Sequence, residues 1–81
     1  YNMPTPFIYN RKIDQLEGKR AKVYTRKDSP YKGEIFSGSG GIPCLGTDKN
    51  GDDIDGVTFT PESGGGLIFI EDDIEEIEFI D

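Results

Sequence analysis

The sequence predicts an all-β domain: a small barrel of five short strands with a short helix before it and an extra strand after it. Three observations carry that expectation. Turn residues recur at intervals of about 6 to 12 positions. Between them apolar and polar residues alternate with a period of two, as in strands with one buried face. And 81 residues suffice for a single small domain.

Pro4 and Pro6 break up the start, so residues 1–9 read as an extended arm and residues 10–81 as the domain. Asn10 is placed to cap a short helix in which Ile13 and Leu16 share a face, and Gly18 ends it. Ala21, Val23 and Thr25 then alternate with Lys22 and Tyr24 as a first strand. Asp28-Ser29-Pro30 is turn chemistry, because Asp favours the first turn position and proline fixes φ. A second strand is expected over residues 31–37, with Gly33 at a sharp bend. Residues 38–41 (Gly-Ser-Gly-Gly) read as a flexible loop, and residues 42–49 as a third strand. Asn50-Gly51 fits a type I′ hairpin turn, with residues 53–60 returning and Ile54, Val57 and Phe59 available to the interior. Residues 61–66 form a second glycine loop, and residues 67–70 a short buried strand. Residues 71–81 fit two patterns. Ile70, Ile74, Ile77 and Ile80 suit a helix, whereas alternation and β-branching favour a turn at Asp72-Asp73 followed by a charged edge strand.

Composition narrows the function. Apolar residues are 33% of the chain, and the 11 glycines bring the total near the usual ~45–50% of soluble domains. The longest apolar run, Leu67-Ile68-Phe69-Ile70, is far short of the ~20 residues of a membrane helix. No secretory signal is visible, and an opening Tyr1 points to a trimmed chain or a piece of a longer one. The expectation is a reduced, cytoplasmic module with no membrane partner.

The net charge of −7 is unevenly placed. The first 33 residues carry eight bases and three acids, whereas the rest carry one base, Lys49, and thirteen acids. Either the acidic part faces a basic partner and the basic part nucleic acid, or the two halves face each other.

Catalytic chemistry finds few residues to use. With no histidine and a single cysteine, Cys44, neither a general-base triad nor a zinc site can be assembled, and no cofactor is expected. Both glycine loops lack the Gly-Lys-Ser/Thr ending of a phosphate loop. Residues 48–54 echo the start of a calcium loop, but Asp53 stands where glycine is needed and Phe59 where the bidentate glutamate belongs. A hairpin tip with solvated carboxylates fits better. Tyr24 and Tyr31, near Lys22, Arg26, Lys27 and Lys32, form a face on which single-stranded nucleic acid could stack, although core packing explains the aromatics equally well.

Taken together, residues 10–70 resemble an Sm-like (LSm) domain, a short helix followed by five bent strands. Residues 16–25 resemble the end of that helix and its first strand. The stretch Asp28-Ser29-Pro30-Tyr31-Lys32-Gly33-Glu34-Ile35 resembles the core of the first Sm motif, and Ser63-Gly64 with Leu67-Ile68-Phe69-Ile70 the end of the second. The resemblance implies a non-catalytic homo-oligomeric ring closed through the edge at Leu67, Ile68, Phe69 and Ile70, and RNA as a partner. The family's pore residues, an Asp, an Asn and an Arg-Gly, correspond to Ser39, Pro43 and Ser63-Gly64, so only the glycine matches. RNA contacts therefore fall to those positions and to the basic face of Lys22, Tyr24, Arg26, Lys27 and Lys32. An SH3-like barrel matches many of the same features. It implies the alternative, a monomeric interaction module whose acidic residues Glu71, Asp72, Asp73, Glu75 and Glu76 take a basic protein.

Overall fold

Alternation sorts the first strand as a half-buried sheet demands: Ala21, Val23 and Thr25 are buried, and Lys22 and Tyr24 are half-buried. The structure, a computed structural model, describes residues 11–80, with side chains from Ile13 onward. The expected arm at residues 1–9 and the Asn10 cap lie outside the described residues. Helix α1 (Arg11–Gln15) is followed by β1 (Arg20–Thr25), β2 (Ile35–Thr47), β3 (Asp53–Pro61) and β4 (Leu67–Ile70). A 3-10 turn (Glu71–Asp73) then leads into β5 (Ile74–Phe79). The five strands form one antiparallel sheet in the order β4-β3-β2-β1-β5. The fold is thus all-β with one short helix, and the expected C-terminal strand is present as β5.

The connection from β4 to β5 constrains the shape of this sheet. Laid flat, five strands would hold the two outer ones about 19 Å apart. From Ile70 to Ile74 the chain can reach only about 14 Å. The sheet must therefore curl until its two ends approach each other at that corner. No ladder joins β4 to β5 among the described residues.

The curl encloses a core of Ile13, Leu16, Ala21, Val23, Val57, Phe59, Phe69 and Ile77. Phe69 is its aromatic centre. Its ring lies 4.9 Å from that of Tyr31, 5.3 Å from Phe59 and 5.7 Å from Phe36, in tilted and edge-on arrangements that aromatic quadrupoles favour. Ile13 of helix α1 and Leu16, just after it, close one end, and Gly18, at φ +71°, turns the chain away.

Several expectations need correction. The glycine run at residues 38–41 is not a loop; it lies inside β2, which joins the expected second and third strands into one of 13 residues. The reason is close approach. A Cβ at Gly40 would overlap the Leu16 backbone, and one at Gly38 the backbone of Thr60 and Pro61. Gly40 also exchanges hydrogen bonds with the chain leaving α1, donating to the Lys19 carbonyl (2.8 Å) and accepting from the Gly18 N–H (3.1 Å). The ladder shifts register between Gly40 and Pro43, so the glycines mark a bulge at which β2 bends.

Gly33 is no bend within a strand either, because β2 starts only at Ile35. Lys32 and Gly33 sit in the left-handed region at φ 57° and 82° and close the loop of residues 26–34. The turn at Asn50-Gly51 is not type I′, since Lys32 is the only non-glycine residue with positive φ among the described residues. Instead Gly51 N–H donates to the Asp48 carbonyl (3.0 Å), and Gly51 alone takes the left-handed conformation. Finally, β4 is an edge strand rather than a buried one: Phe69 is fully buried, but Ile68 is 54% exposed.

Candidate binding groove

The uneven charge of the chain is met in part within the sheet. β5 lies beside β1 and pairs Lys22 with Glu78 and Tyr24 with Glu76. Tyr24 donates its hydroxyl to Glu78 (3.0 Å), which pushes the phenol's pKa up. Arg20 reaches Glu62 (3.4 Å), and Arg26 binds Asp28 (3.1 Å), holding that carboxyl below its ordinary range. Of the expected basic face of Lys22, Tyr24, Arg26, Lys27 and Lys32, the first three thus have acids beside them, and Lys27 shares a cavity wall with Glu75.

The expected pore positions do not gather in one loop. Ser39 and Pro43 are strand residues of β2, opposite Thr60 and Val57. Ser63 and Gly64 are exposed in the β3–β4 loop, beyond the Gly38–Pro61 pair. Leu67, Ile68, Phe69 and Ile70 form the edge strand, but two of its polar groups are already engaged. The Ile68 carbonyl accepts from the Tyr31 hydroxyl (2.5 Å), and the Ile70 N–H donates to the Asp73 carboxylate (3.2 Å). Tyr31 itself is held in the aromatic cluster, and Cys44 is half-buried beside Gly56.

A concave site forms where three turns meet. In the β1–β2 loop, Ser29 donates its hydroxyl to the Arg26 carbonyl (2.6 Å) and accepts from the Tyr31 N–H (3.2 Å), so Asp28-Ser29-Pro30 is a rigid corner. At the hairpin tip, the Asp48 carboxylate accepts the N–H groups of Asn50 and Asp52, both at 2.9 Å. This local capping uses one oxygen of the expected tip carboxylate. No three His, Cys, Asp or Glu side chains among the described residues are arranged to hold a metal. The third turn is the 3-10 segment. Asp73 ties it to the loop: its carboxylate holds Ile70 N–H, and its carbonyl accepts from Arg26 N–H (2.8 Å). Burial pushes the Asp73 carboxyl upward.

Between these turns lies a groove of about 450 Å³. Pro30 and Ile70 supply apolar surface to it. Four carboxylates, Asp28, Asp48, Asp72 and Asp73, line it against two bases, Arg26 and Lys49. Such a site can hold an extended segment by shape and draw cationic side chains by charge. Asp72 and Asp73 were legible as acids at a turn, whereas Pro30 stood out only as a turn residue, Lys49 as a lone base and Ile70 as part of a subunit edge, and Thr47 not at all. Their signal was present only in pieces, as three separate turns.

Glu71, between the groove residues Ile70 and Asp72 in sequence, carries the least satisfied side chain of the turn. Its Oε2 is buried with no hydrogen-bond partner among the described residues. Burial, then the charges of Asp55, Asp72 and Asp14, push its carboxyl up to about 7. No helix among the described residues is long and apolar enough to cross a membrane. No family model, curated protein or solved structure matches this chain.

Proposed function

We propose that the domain is a non-catalytic protein-interaction module whose groove takes a basic, extended segment of a partner protein. The observation that carries this reading is the groove of about 450 Å³ itself, with Pro30 and Ile70 in its wall and four carboxylates against two bases. The net charge of −7 adds long-range attraction for cations. Calorimetric titration with a capped Arg/Lys-rich peptide tests it. Binding that weakens steeply with added salt supports the reading; no heat at low salt, or affinity indifferent to salt, contradicts it.

A second reading, the Sm-like ring with RNA as ligand, is favoured by one specific observation. β4 and β5 lie at opposite ends of the sheet, each paired on one side only. A ring would join the β4 edge of one copy to the β5 edge of the next. To do so it would compete with the bonds that Tyr31 and Asp73 make to β4. Light scattering after gel filtration separates the readings, because a ring requires a mass several times that of the 9.0 kDa chain.

A further inference from the structure

The groove does not stop at the β1–β2 loop. Arg26 and Asp28 also line an adjoining cavity of about 460 Å³, whose remaining walls are Lys27 and Glu75. Lys27 and Glu75 in turn border a third cavity of about 190 Å³, to which Tyr24, Ile35 and Glu76 contribute. Because neighbouring cavities share lining residues, the three lie side by side as a track around the loop.

Two features set the far end of this track apart. Thr25 pairs with Ile74 and Tyr24 with Glu76, so Glu75 is an extra, unpaired residue in β5. Such a bulge turns a side chain out of the regular alternation, and Glu75 borders both outer cavities. Ile35, at the start of β2, is 57% exposed and, unlike the other exposed large apolar side chains Ile42, Leu45, Ile68 and Phe79, lines one of these three cavities. It shares the third cavity with the Tyr24 side chain, whose hydroxyl is fixed by Glu78.

Resting on the reading of the groove as a site for a basic segment, we propose that the same segment runs on along this track. Its first Arg or Lys lies near Asp28 and Asp72. A second, next to an apolar residue, lies against Glu75, Glu76, Ile35 and Tyr24. Charge complementarity selects this occupant. The acids outnumber the bases in the groove and again in the third cavity, where Glu75 and Glu76 face only Lys27. A nucleic-acid backbone would meet repulsion at both ends.

Two capped peptides test the proposal: a Lys-Pro-Arg tripeptide, sized for the groove, and a decapeptide with a second Arg-Leu pair after a glycine spacer. The decapeptide is expected to bind about tenfold more tightly than the tripeptide. Glu75→Gln with Glu76→Gln is expected to weaken the decapeptide about fivefold, the effect of two partly exposed charge pairs, and to leave the tripeptide unchanged. Ile35→Ser should act on the decapeptide alone in the same way. All three positions are exposed, and circular dichroism confirms that the variants fold. Equal affinity for the two peptides, or variants that weaken both alike, overturns the extended track while the groove stands. Failure of both peptides to bind the wild-type chain removes the groove, and the track with it.

Discussion

The Tyr31 hydroxyl donates to the Ile68 carbonyl at 2.5 Å, joining the β1–β2 loop to the edge strand across 37 residues of sequence. The same ring packs edge-on against Phe36 and Phe69, so one side chain fixes the loop, the core and the outer strand together. Tyr31→Phe should keep the packing and lose only the hydrogen bond, costing about 1 kcal/mol. Tyr31→Ala should cost about 3 kcal/mol or more, because the aromatic cluster loses a member. Urea denaturation checks both. Equal losses for the two variants would show that the ring contributes nothing beyond its hydroxyl.

Gly40 allows the chain leaving α1 to lie directly on β2. Gly40→Ala drives a methyl group into the Leu16 backbone, which cannot give way as a flexible side chain would. A loss of roughly 2 kcal/mol or more is expected. Gly66→Ala serves as the control, since nothing lies within 4 Å of a Cβ there. Thermal melts of the pair provide the check, and comparable midpoints would refute the close-packing explanation.

Glu71 gives the fold a pH dependence of definite sign. Its native carboxyl titrates at about 7 against an ordinary 4.5, so the folded state holds a proton that the unfolded state releases. The favourable contribution is complete below the unfolded value and is lost as pH rises through 7. Asp73, raised by burial, acts in the same direction. The melting temperature should therefore fall between about pH 5.5 and pH 8, and Glu71→Gln should flatten that dependence. A midpoint that rises over this interval contradicts the assignment.

The strands were legible wherever local alternation matched burial. Ala21, Val23 and Thr25 face inward as their period of two requires, and Asp72-Asp73 marks a turn before a charged edge strand. Residues 38–41 misled because consecutive glycines ordinarily signal a loop. Here the missing side chains serve a contact with Leu16 and Thr60, which is set by distant segments. The groove shows the same divide. The corner at Asp28-Ser29-Pro30, the tip at Asp48 and the turn at Asp72-Asp73 could each be read as a local turn. Their meeting depends on sheet order and on the Arg26–Asp73 backbone bond, neither of which leaves a mark in local sequence. The charge asymmetry was informative for the opposite reason: its simplest explanation, basic β1 beside acidic β5, needs only one strand pairing.

The central claim is that the groove between the three turns receives a cationic segment. An amide chemical-shift titration of the ¹⁵N-labelled domain with an Arg/Lys-rich peptide tests it most directly. Saturable shifts concentrated at Ser29, Thr47, Lys49, Ile70 and Asp72, diminished by Asp72→Asn, are the predicted result. Shifts spread along the edges of β4 and β5, or none at these five residues, would contradict it.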